Sequence, residues 1–139
     1  MLKLGTAFPL LALSLGLYLA ATAASGGDAW LGGIAFQLTM PSQKLLTLTA
    51  GDLFVVLSLG LLFVEVVKSV YTGAQGIINH GLSVLVMIIC CILFATSAAH
   101  ETPQFLFLTM MALLDVVAGF VISIVAARRD FGTGGAHHA

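Results

Sequence analysis

The stretch Pro103–Ala127, PQFLFLTMMALLDVVAGFVISIVAA, decides how the rest of the chain is read. It is uncharged except for Asp115 and runs into the pair Arg128-Arg129. Asp115 stands 13 residues before Arg128. At a helical rise of ~1.5 Å per residue that is roughly 20 Å. A carboxylate so placed falls near the centre of a hydrocarbon core about 30 Å thick. An aspartate at that depth costs about 2.5–3.5 kcal/mol on insertion scales. Its neighbours indicate what offsets the cost. At 100° per residue, Ala112, Asp115, Ala118, Gly119, Ser123 and Ala126 share one side of the helix. Leu113, Val117, Phe120 and Ile124 take the other. Small residues let another helix approach closely. Asp115 is therefore expected to face protein, with Ala112, Gly119 and Ser123 as a helix–helix interface.

The whole chain has the same character. Of its 139 residues 60% are hydrophobic and 8% charged, with a mean hydropathy of +1.12. Soluble domains carry about 25% charged residues. A bilayer, with its demand that backbone polar groups be satisfied within each segment, accommodates such a composition as helices or a closed barrel. The apolar runs are long and do not alternate, which selects helices. The fold expected is all-α: a polytopic membrane protein with four transmembrane helices in an antiparallel bundle. Residues 1–132 form one membrane domain, with spans at about 4–24, 49–71, 77–98 and 103–127, and residues 133–139 form a mobile Gly- and His-containing tail. The net charge of −1 and the absence of a basic patch give no support for nucleic-acid binding.

The first run begins after Lys3 and resembles a secretory signal, with Ala21-Thr22-Ala23 as a cleavage site, but it is long enough to span. Ser14 and Tyr18, at i, i+4, are its inward polar groups. Residues 25–48 hold Gly26-Gly27, Gly32-Gly33 and Pro41 among apolar residues. An external loop this apolar is expected at the membrane interface, as a short interfacial helix or a re-entrant dip. Trp30 fits an aromatic belt, and Trp30 and Phe36 are candidate contacts for lipid or a partner.

Thr49-Ala-Gly-Asp52 has capping-box spacing, with Asp52 in the place of the usual Glu or Gln. Glu65 and Lys68 lie i, i+3 near the end of the second span and can pair, with Lys68 free to reach the headgroups. Residues 72–76 make a tight turn. In the third span His80, Ser83, Met87, Cys91 and Phe94 share one side, and His80 sits at the depth of Glu65, so a Glu65–His80 hydrogen bond is expected. Cys90 and Cys91 are adjacent, point to different sides, and read as apolar packing residues. His100 and Glu101 are expected exposed in the next turn. Pro103 opens the fourth span at a favoured position. No residue set marks a metal site or cofactor.

Lys3, Lys68, Arg128 and Arg129 fall on one side of a four-span arrangement and Lys44 on the other. The positive-inside rule then puts both termini in the cytoplasm. The runs Gly51-Asp-Leu-Phe-Val-Val-Leu, Phe63-Val-Glu-Val-Val-Lys-Ser, Asp115-Val-Val-Ala-Gly-Phe and Ala127-Arg-Arg-Asp-Phe-Gly resemble those of small four-span bacterial inner-membrane proteins. The resemblance implies a bacterial cytoplasmic membrane and carries no activity.

Three functions fit to different degrees, with an accessory or structural subunit the one expected and a transporter its alternative. An accessory or structural subunit, packing on a larger membrane complex or on copies of itself, matches the small-residue side of the fourth span and the apolar loop. A small proton-linked transporter or channel would use Asp115, with Glu65, His80 and Lys68 nearer the cytoplasmic surface. Its size invites comparison with the small four-helix multidrug exporters, whose essential first-span glutamate has no counterpart in residues 4–24. An enzyme is disfavoured, because no spacing joins a nucleophile to a base.

Overall fold

The computed structural model describes residues 8–71 and 75–133. The start of the first apolar run, residues 72–74 of the tight turn and residues 134–139 of the tail lie outside the described residues. Four α-helices account for most of the chain: α1 Leu11–Ser25, α2 Ala50–Tyr71, α3 Gln75–Thr96 and α4 Pro103–Thr133. Three of them are long and apolar enough to cross a membrane, over Ala50–Val70, Ile78–Thr96 and Pro103–Val125. The described helix α1 is shorter, at 15 residues. That is ~22 Å at ~1.5 Å per residue. It ends where Gly26 takes φ +70°, in the left-handed region open to glycine.

The connection from α1 to α2 contains two strands, where the expectation was a short helix or a dip. A 3-10 turn, Asp28–Gly32, leads into an antiparallel hairpin of β1 (Ile34–Thr39) and β2 (Leu45–Thr49). The reason is a period of two. Ile34, Phe36, Leu38 and Met40 alternate with Ala35, Gln37 and Thr39, which suits a strand and not a helix. Phe36 pairs with Leu48 and Leu38 with Leu46, making one face apolar, while Gln37 pairs with Thr47 on the other. Pro41 sits in the turn, which Met40 N–H closes on Lys44 C=O at 2.9 Å and Gln43 N–H on Met40 C=O at 2.8 Å.

Helix α2 starts as expected from Thr49 and Asp52. Asp52 Oδ2 accepts from Thr49 N–H at 2.9 Å, and Asp52 N–H donates to Thr49 Oγ1 at 3.2 Å. At α4 the cap is Thr102, whose Oγ1 accepts from Phe105 N–H at 3.2 Å. Helix α4 continues past Arg128 to Thr133, so the fourth helix is longer than its apolar sequence. It is the central helix, packed along both α2 and α3. Its exposed side is the one expected: Leu113, Val117, Phe120 and Ile124 face outward. So does most of α2, where Phe63 is 70% exposed. Helix α3 is rotated from the expected setting. Its buried line is Asn79, Ser83, Val86 and Cys90, and Cys91 is exposed. That line closes on the i, i+4, i+7, i+11 spacing of a single helix stripe.

Candidate functional site

A polar column runs through the bundle. At one end Lys68, one turn before the end of α2, turns inward instead of reaching outward to headgroups. Its Nζ donates to Phe8 C=O at 2.8 Å, to Glu65 at 3.2 Å and to Asn79 Oδ1 at 3.5 Å. Glu65 is 0% exposed. Its Oε2 accepts from Leu10 N–H at 2.7 Å, and its Oε1 accepts a short hydrogen bond from Asn79 Nδ2. Leu10 is the N-cap residue of α1 and has no side-chain cap of its own. The Glu65 carboxylate therefore caps α1 from another helix, at the end where a helix favours negative charge.

The expected Glu65–His80 bond is replaced by Glu65–Asn79. One residue along a helix is 100°, and at the setting of α3 the Asn79 amide faces Glu65. His80 instead stacks edge-on against Phe120, with ring centroids 4.4 Å apart, beside Gly119. Its Nε2 is buried without a hydrogen-bond partner among the described residues. Asn79 is next to His80 in the sequence and at the same depth, and only the rotation of α3 about its axis distinguishes the two as partners for Glu65.

Asp115 is 6% exposed and faces the bundle interior, as expected. Its carboxyl lies beside the Ser83 hydroxyl, with Glu65, His80 and Lys68 as the nearby titratable groups. Among the described residues neither Ser83 Oγ nor Asp115 Oδ2 has a hydrogen-bond partner. Asp115 has no carboxylate companion within its own span, Pro103–Val125, but Glu65 of α2 is buried in the same interior. Among the described residues the interior thus holds two carboxylates, Glu65 and Asp115, and the ammonium of Lys68. Lys68 pairs with Glu65, and Asp115 forms no ion pair among the described residues.

Ser14, one turn on from Leu10, and Ser58, two turns before Glu65, are both buried and have no hydrogen-bond partner among the described residues. Above them the column is closed by rings. Tyr18 is fully buried among Trp30, Phe54, His100 and Phe105, at centroid distances of 5.6, 5.4, 5.8 and 4.8 Å. Its hydroxyl bonds Thr102 Oγ1 at 2.8 Å. Trp30 is part of this cap: its indole N–H donates to Thr22 Oγ1 at 3.2 Å. His100 is half-buried on the same cluster, with Nδ1 2.8 Å from Ser97 Oγ. Phe36 stays exposed on the hairpin.

Of the expected interface residues, Ala112 is buried and Gly119 meets His80, while Ser123 is exposed. Among the described residues no group of three or more His, Cys, Asp or Glu side chains could hold a metal ion. Compared with protein-family models, with curated proteins and with solved structures, the chain has no match.

Proposed function

We propose that this chain is a small proton-linked membrane transporter or channel in which Asp115 takes up and releases the charge. One observation carries the reading: among the described residues two carboxylates, Glu65 and Asp115, are buried in the interior, and the only ion pair there, Lys68 with Glu65, leaves Asp115 without one. A carboxyl kept only for packing would be expected to have its oxygens satisfied. An intramembrane acid without a fixed counter-ion suits a group that changes charge. Glu65 has a different role, since it is tied to Lys68, Asn79 and the α1 terminus. The reading includes a fourth span through α1, a bacterial cytoplasmic membrane, and the Lys68 and Arg128 end in the cytoplasm. The test is proton flux into liposomes carrying the purified protein with a pH-sensitive dye inside. Wild type is expected to pass protons and Asp115→Asn to lose most of that flux; equal flux removes the proposal.

A second reading, an accessory subunit docked on a larger membrane complex or on itself, draws on the hairpin. Phe36, Leu38 and Leu46 lie on one face of an exposed two-stranded ribbon. Ala112 and Gly119 are used within the chain, so support for this reading moves from α4 to the hairpin. Extraction in mild detergent that yields only monomer would count against it.

A further inference from the structure

We infer that the hairpin of β1 and β2 lies along the surface of the bilayer that the helices cross, with Phe36, Leu38 and Leu46 sunk into the boundary between headgroups and acyl chains. The inference is independent of Asp115. It assigns to lipid the face on which the accessory-subunit reading draws.

The ribbon is well formed but uncovered. Its register is set by the pairs Phe36–Leu48, Gln37–Thr47, Leu38–Leu46 and Thr39–Leu45. Yet every residue of β1 is exposed, and so are Leu45, Leu46 and Thr47 of β2. A lone two-stranded hairpin is marginal in water and needs something packed on it. The register says which face is to be covered. Phe36, Leu38, Leu46 and Leu48 lie on one face. Gln37, Thr39, Leu45 and Thr47 lie on the other, where Gln37 Nε2 donates to Thr47 Oγ1 at 3.5 Å. The ribbon is thus amphipathic, as are the helices that lie in a membrane interface.

Three observations select lipid as the cover. The first is continuity. Ala50 N–H donates to Gly33 C=O at 2.8 Å, which ties the base of the hairpin to the start of α2. The apolar span of α2 begins at that same residue, and its exposed side chains Leu53, Val56 and Leu57 follow directly. Apolar surface therefore continues from the outside of α2 onto the ribbon. The second is charge. Lys44, exposed in the turn, is the only charged residue between Asp28 and Asp52. An ammonium with no carboxylate beside it in the ribbon suits headgroup phosphates. The third is area. The six residues of β1 extend ~20 Å at ~3.3 Å per residue, and with strands ~4.8 Å apart each face covers roughly 200 Å². A stable protein interface takes about 800 Å² from each partner. The face is too small to hold a second copy by itself, whereas the helices already hold it beside the bilayer. The backbone limits the depth. Both outer edges of a two-stranded sheet are unpaired. Unsatisfied N–H and C=O groups are not tolerated in hydrocarbon, so the ribbon stays where water reaches its edges.

The test places a nitroxide label at single cysteines in the full chain, reconstituted in vesicles of phosphatidylethanolamine and phosphatidylglycerol. The background is Cys91→Ala; Cys90 is enclosed, so the background alone should take no label. The labelled variants are Leu38→Cys and Leu46→Cys on the apolar face, and Gln37→Cys and Thr47→Cys on the other. Collisions with oxygen, which concentrates in lipid, are compared with collisions with a water-soluble nickel chelate. The oxygen-to-nickel ratio is expected to be several-fold higher at 38 and 46 than at 37 and 47. Equal access of nickel to all four positions would put the ribbon in water and overturn the inference. Labels at 38 and 46 shielded from both reagents would put a second copy on the face, since these vesicles hold no other protein, and would overturn it equally.

Discussion

The Tyr18 hydroxyl on α1 and the Thr102 hydroxyl at the start of α4 meet at 2.8 Å across 84 residues of chain. Thr102 Oγ1 also caps α4 through Phe105 N–H, so one side chain ends a helix and holds the bundle shut. The two contributions can be separated. Tyr18→Phe keeps the ring and loses only the clasp. An interhelical hydrogen bond of this kind is worth ~0.6 kcal/mol on average and up to ~1.7. Tyr18→Ala also removes the ring from Trp30, Phe54 and Phe105, at about 3–5 kcal/mol. Reversible unfolding in detergent should rank the two variants in that order. A Tyr18→Phe loss as large as that of Tyr18→Ala would assign the stability to the hydroxyl instead.

Breaking the inward ion pair from one side should be harsher than removing it altogether. Glu65→Gln retains an acceptor for Leu10 N–H but leaves the Lys68 ammonium without its carboxylate. Orphaning one member of a buried pair costs about 3–5 kcal/mol. The double variant Glu65→Gln/Lys68→Met should cost less than the two single losses summed. Strict additivity in that cycle would mean that the 3.2 Å contact contributes nothing.

At Gly119 a side chain has nowhere to go. A Cβ there would overlap the His80 imidazole. Gly119→Ala is therefore expected to lower stability by about 1–3 kcal/mol, the usual cost of overpacking. Shortening the opposing side chain in Gly119→Ala/His80→Ala should recover part of the loss. The readout is the unfolding midpoint, and a double variant less stable than Gly119→Ala alone would contradict the proposed contact.

The adjacent thiols should differ sharply. Cys90 is fully buried and Cys91 is exposed on the outer surface of α3. A small membrane-permeant maleimide should modify Cys91 in the folded protein and reach Cys90 only after unfolding. Mass spectrometry of the digest distinguishes the sites. Preferential modification of Cys90 would require α3 to be turned the other way.

Much of this arrangement was legible because it is local. The capping pair Thr49 and Asp52 is three residues apart and forms as read, since both partners belong to one turn. The inward setting of Asp115 followed from the small residues at helical spacing around it. The hairpin is legible in principle: the alternation from Ile34 to Met40 is present, but the flanking glycines and overall apolarity equally suit an interfacial loop. Asn79, Thr102 and the burial of Trp30 could not be read, because each depends on what a different helix brings opposite.

The sequence alone determined the apolar helices, the ends that Asp52 and Pro103 mark, and the side of α4 that faces inward. Those are consequences of helical periodicity and of the cost of polar groups in a hydrocarbon core. Only the tertiary structure decided that Glu65 meets Asn79 and Leu10 and not His80, that Cys90 and not Cys91 is enclosed, and that Tyr18 meets Thr102. The physical reason is that a helix may rotate or slide without changing its own hydrogen bonds. A shift of one residue turns a side chain by 100°, and only packing against neighbouring helices fixes that angle.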